Sequence, residues 1–231
     1  MLSRVRSAAL GVVCPVLVMS LSPAALAGPD WVEIGDAGSA VNTAQIPLRP
    51  IGATSLFSIE GVLATGVLGN DYEDLYFFRV VDPAQFSVTV ATADFNAVMY
   101  LFDITVNNEL YGRLGNDNMS AESVLPRLTS AATDGTGVQI TQPGDYLIAI
   151  TGAGRVPVSR TGAIFNLGSA TEISGPDGVG GLNPLSDWTG IGEQGNYRMV
   201  FTSADFPAVP GPGAGVIALG GLAGLGLRRR R

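Results

Sequence analysis

The chain has 231 residues and a formal net charge of −7, but the charges are unevenly placed. All 20 acidic residues lie between Asp30 and Asp205, against seven arginines, so that stretch carries −13 and repels nucleic acid. It has no His, Lys or Cys (Cys14 is the chain's one cysteine), which excludes a disulfide, a thiolate nucleophile, a Ser-His-Asp triad, a Ser-Lys dyad and the usual zinc or copper centres there.

In chain order, residues 1–27 have the pattern of a secretory signal peptide. Arg4 and Arg6 precede an apolar run from Ala8 to Leu21, and Ala25-Leu26-Ala27 supplies a small-x-small cleavage site, placing the mature start near Gly28. From there to Phe206 the pattern is that of strands. Alternation and β-branched or aromatic clusters predict strands at Leu56–Leu63, Leu75–Val81, Phe86–Ala93, Ala97–Phe102, Val138–Thr141, Tyr146–Thr151, Ala163–Leu167 and Tyr197–Thr202. Phe86, Val88 and Val90 alternate with Ser87 and Thr89, a half-buried pattern. Tyr146, Ile148 and Ile150 alternate with Leu147 and Ala149, which suits a strand covered on both faces.

Gly69-Asn70-Asp71, Asp82-Pro83, Asn107-Asn108 and Pro143-Gly144-Asp145 supply turns between them. Gly152–Gly195 is a long Gly-rich excursion, with Ala163–Leu167 as its strand and Trp188 expected to pack the rest down. The expected fold is all-β: one jelly-roll-like antiparallel β-sandwich over residues 28–206, with Tyr76, Phe78, Leu101, Ile148 and Phe201 in its core.

Residues 207–231 form a tail of a different kind. Pro207, Pro210 and Pro212 keep it extended, fourteen uncharged residues follow from Ala214 to Leu227, and Arg228 to Arg231 close the chain. As a helix the apolar stretch would reach about 21 Å, short of the roughly 30 Å hydrocarbon core. The arginines would hold the C-terminus in the cytoplasm and leave the domain outside. The tail resembles the bacterial PEP-CTERM sorting signal, with Val209-Pro210-Gly211-Pro212 where that family has Val-Pro-Glu-Pro. The resemblance implies membrane retention through the tail and a processing protease as partner, with Gly211 departing from the family's glutamate.

The middle resembles the pre-peptidase C-terminal type of β-sandwich, roughly from Trp31 to Ser203. The likeness lies in the order of Ile59-Glu60-Gly61, Asp71-Tyr72-Glu73-Asp74-Leu75-Tyr76-Phe77-Phe78, Tyr100-Leu101-Phe102-Asp103, Asn116-Asp117-Asn118, Pro143-Gly144-Asp145-Tyr146 and Gly195-Asn196-Tyr197. Asn96 stands where the family often has Asp. The resemblance implies an accessory, non-catalytic module.

Acidic turns are the one constellation with chemical promise. Calcium takes six to eight oxygens at about 2.3–2.6 Å, and loops gathered at one end of a sandwich could supply Asp71, Glu73, Asp103 and Asp117 as ligands. On strand parity Asp71 and Glu73 share a face and Asp74 points the other way. The alternative is ordinary turn chemistry, in which Asp and Asn bond their own backbone. The expectation is therefore an exported, surface-sorted, non-enzymatic structural or adhesive protein that binds extracellular polysaccharide or another matrix component with calcium. A carbohydrate-binding module with its ligand at Trp188 and Tyr197 is the second reading, and a hydrolase working with carboxylates alone is the third.

Overall fold

A computed structural model describes residues 29–66 and 69–208. The expected signal peptide and all of the tail beyond Ala208 lie outside the described residues. Fifteen strands follow in chain order: β1 Trp31–Val32, β2 Ser58–Leu63, β3 Thr65–Gly66, β4 Gly69–Asn70, β5 Glu73–Val80, β6 Ser87–Ala93, β7 Ala97–Ile104, β8 Leu110–Asn116, β9 Arg127–Thr129, β10 Gly144–Gly152, β11 Val156–Ser159, β12 Gly162–Ala163, β13 Asp187–Thr189, β14 Gly195–Thr202 and β15 Ala204–Asp205. No described helix is long and apolar enough to cross a membrane.

Two five-stranded sheets build the sandwich, in the orders β1-β2-β14-β6-β9 and β15-β5-β10-β7-β8. Every pairing in them is antiparallel except β1 on β2. Alternation decides which side chains meet between the sheets. Tyr76, Phe78 and Val80 from β5, Ile148 and Ile150 from β10, Met99 and Leu101 from β7, and Met199 and Phe201 from β14 form one buried cluster. Phe78 lies 5.4 Å from the ring of Phe201 and 5.6 Å from that of Phe86. All five expected core residues are buried.

The residues of opposite parity make a second core. Leu75, Val98, Tyr100, Phe102, Leu147 and Ala149 face away from the first cluster and are covered by Ile164, Phe165 and Trp188 of the Gly-rich excursion. The apolar run at Tyr146–Ile150 is thus covered on both faces, as its composition requires. The excursion is itself ordered by a small sheet, β12-β11-β13. Trp188 sits 6.0 Å from the Tyr100 ring and donates its indole N–H to Ser39 O at 2.8 Å.

Several expected elements differ. Val138–Thr141 forms no strand: Gln139 makes an isolated bridge to Ala131, and Ile140 is spent on filling the core. Of the expected strand Ala163–Leu167 only Ala163 lies in a strand, at the end of β12, because Ile164 and Phe165 turn onto the sheet as plugs. Strand β8 was hidden by Gly112 and Gly115, which weaken a strand pattern. Gly112 leaves room for the cover, since a Cβ there would lie 2.4 Å from Ile164 Cγ2, and Gly115 packs closely, with 3.1 Å between a Cβ and the Tyr100 ring.

Candidate carboxylate site

The four acids expected to gather around calcium occupy three separate places. Glu73 starts β5, lies buried on the side of the second core with Leu75 and is bound through both carboxylate oxygens by Arg155, at 2.6 and 2.9 Å. Asp103 pairs in register with Tyr146, which pairs with Phe78, so it lies five residues further along the sheet than Glu73, roughly 17 Å. There it is held by Arg113 at 3.0 Å. Asp117 follows Asn116 at the end of β8, three strands across from β5, roughly 14 Å. Of the four, Asp71 alone joins a group of carboxylates.

That group is Glu33, Asp71 and Asp74, which bring one carboxylate oxygen each to within 4.8 Å of one another. Three elements bring them together. Glu33 directly follows β1, and its N–H donates to Glu60 O of β2 at 2.8 Å. Asp71 ends the turn into β5, and its backbone carbonyl accepts from Gln194 Nε2 at 2.6 Å. Asp74 is the second residue of β5 and shares the core-facing parity of Tyr76 and Phe78. It is fully buried.

The protein satisfies these carboxylates only in part. Glu33 accepts backbone N–H groups from Ala37 at 3.1 Å and Val62 at 2.8 Å. Asp74 Oδ2 accepts the Tyr197 hydroxyl at 2.6 Å, and Tyr197 lies 2.7 Å from the Tyr76 hydroxyl. Asp74 Oδ1 has no donor, although it is buried. Gly61 makes room for the two tyrosines: a Cβ there would lie 2.2 Å from the Tyr197 hydroxyl.

Burial pushes the Asp71 carboxyl up to about 7, helped by the negative charges of Asp36, Glu33 and Glu73. Burial also drives Asp74 well above the carboxylate range, with Asp71 and Glu33 adding repulsion, and raises Glu33 in the same direction. Desolvation and the proximity of Asp74 keep Tyr76 and Tyr197 protonated, as donors. Such a cluster has two resting forms. Either it keeps protons, or a cation replaces them.

The donor set fits a hard divalent cation. Oxygens that each lie about 2.3–2.6 Å from one calcium are at most about 5 Å apart, which the 4.8 Å limit satisfies. Asp71 also lines a depression of about 290 Å³, shared with Asp36, Asn70 and Glu73, that gives access from solvent. A hydrolase fits less well, since paired catalytic carboxyls stand about 5 Å or more apart across an open cleft and Asp74 is sealed from substrate. Trp188 and Tyr197 lie in the two different cores and are both buried, so they offer no shared aromatic platform.

Comparison of the chain with protein-family models, with curated proteins and with solved structures found no match in any of the three. The resemblances of the sandwich and of the tail therefore rest on the order of their motifs.

Glu33 and Asp74 were not among the expected ligands. Parity had set Asp74 apart, correctly for its direction, but the cluster lies on the core side. The available signal was Asp74-x-Tyr76-x-Phe78, a carboxylate in register with two buried rings. Glu33 is distant in sequence and meets the others only through the pairing of β1 with β2.

Proposed function

We propose that this chain is an exported, non-enzymatic β-sandwich protein of the cell envelope, structural or adhesive in role, whose Glu33, Asp71 and Asp74 hold a calcium ion. The observation that carries this reading is the carboxylate trio, half-buried at Glu33 and Asp71 and fully buried at Asp74, with an orphaned Asp74 Oδ1. Acids so placed repel one another unless they keep protons or gain a cation. Extracellular modules bind calcium at about 10⁻⁴–10⁻³ M, so such a site fills outside the cell, in keeping with a signal peptide at residues 1–27. The strand orders β2-β14-β6-β9 and β5-β10-β7-β8 support a jelly-roll-like topology. A C-terminal hydrophobic helix followed by the arginines would hold the domain at the membrane, and polysaccharide or another matrix component is the partner such a module would meet.

The test is thermal. Saturating calcium is expected to raise the melting temperature by about 5–10 °C, with sodium at matched ionic strength as the control for screening. Asp71→Asn should remove most of that shift, whereas Asp103→Asn should leave it intact. A shift that sodium reproduces, or none at all, removes the ion from the reading.

A carbohydrate-binding reading is favoured by a different observation. A cavity of about 630 Å³ beside Trp188 is lined by Arg160, Glu109, Asp187 and Asn183, polar groups suited to sugar hydroxyls. Glycan-array binding that is lost in Arg160→Ala and kept in Asp71→Asn would assign the ligand to that cavity.

A further inference from the structure

Near the start of β2 and the end of β14 the sandwich exposes apolar side chains that no described residue covers. Phe57 is 56 % exposed and Val81 51 %, and both line a groove of about 450 Å³ that reaches Phe201 and Ala204. Leu48 is half exposed and Ile51 stands fully in solvent on the turn closed by Ala53 N–H to Pro50 O. Between those two, Arg49 binds Asp205, donates to Ala53 O at 3.1 Å and lies 5.2 Å over the Phe206 ring. Arg49 therefore ties this apolar surface to the segment by which the chain leaves the fold. Single exposed apolar residues need no explanation, but several gathered beside one chain exit do.

We propose that this surface docks on a lipid bilayer, the one its own tail enters. The docking depends on the membrane-held tail proposed above. Ala214 is six chain steps from Ala208, a reach of about 20 Å at full extension, so the surface cannot stand far from any bilayer that holds residues 214–227. The fourteen-residue apolar stretch is also short of the hydrocarbon core, and a short segment draws its flanks toward the interface. With four arginines fixing the far end, the flank drawn in is the one that carries the domain. Phe57, Ile51 and Leu48 then enter the headgroup boundary, where apolar area is buried as it is for an interfacial anchor.

The chain after the leader has no cysteine, so a single thiol can report its surroundings. In exported protein purified with its tail and carrying Cys14→Ser, Ile51→Cys and Phe57→Cys would each be labelled with a polarity-sensitive dye. Ile191→Cys serves as control, being 76 % exposed but far along the fold, beside Gly154. With phosphatidylcholine vesicles the dye is expected to shift to the blue at 51 and 57 and to stay water-like at 191. The pair Ile51→Ser and Phe57→Ser should weaken vesicle partition roughly tenfold. Protein that floats with the vesicles while both dyes remain in water keeps the tail reading and overturns the docking. Protein that does not float overturns both. A shift without vesicles that grows with protein concentration assigns the surface to a second copy. One that is independent of concentration and lost on truncation after Ala208 assigns it to the tail itself. Either of these also overturns the proposal.

Discussion

Asp74 occupies a core-facing position of β5, where the residues that follow at the same parity are Tyr76, Phe78 and Val80. The carboxyl group there is tolerated because Tyr197 donates to one oxygen, while Glu33 and Asp71 beside it add repulsion that favours the protonated form. The cluster has a definite pH signature. The folded protein holds the Asp71 proton up to about 7, where an ordinary aspartate releases it near 3.8. Between those values the folded state binds more protons than the unfolded chain, so without calcium stability should fall as pH rises from about 4 to about 7. Glu33 and Asp74 shift the same way and steepen the fall. Melting curves in a chelator across that range are expected to show the decline, Asp71→Asn to flatten it and calcium to oppose it. Stability that rises over the same range would contradict the burial of these acids. The sequence made the acidic turn at Asp71 legible but not its partners, since Glu33 arrives from the edge strand β1, whose pairing no local pattern announces.

Strand by strand, legibility followed composition. β6, β10 and β14 stand where their apolar patterns put them, although β6 carries a bulge against β14 after Val90. β8 and β11 escaped because glycine in one and Pro157 in the other break the pattern, each for the sake of packing in the second core or its cover. That cover hangs on Arg155. Its guanidinium binds Glu73 of β5, donates to Gly190 O at 2.8 Å and lies 5.5 Å over the Tyr72 ring, joining the sheet to the far end of the Gly-rich excursion. Glu73 and Arg155 are both mostly buried. Removing one partner of such a pair strands the other charge, so Arg155→Met should cost about 3–5 kcal/mol in urea unfolding. The double variant with Glu73→Gln should recover part of that loss. Limited proteolysis of Arg155→Met should cut first within residues 153–195; a cleavage pattern like that of the parent would show that the excursion is held by Trp188 and Phe165 alone.

At the scale of the whole molecule, both ends of the described chain meet one segment. The Asp30 carboxylate accepts the N–H groups of Phe57 and Ser58, and Ala204 O accepts from Leu56 N–H at 3.2 Å. The carboxylate trio lies toward the other end of the strands, since Asp74 and Val80 are six residues apart on β5, roughly 20 Å. This layout sets how the protein bears a mechanical load. A pull between residues 29 and 208 would peel β1 and β15 away one hydrogen bond at a time. A pull between residue 208 and Ile191 runs lengthwise along β5 and β14 and loads whole ladders in shear, many bonds together. Optical-tweezer handles at those two pairs of positions should record a clearly higher rupture force for the second. If the tail tethers the protein as proposed, a load applied at its far end would meet the stronger of these two directions.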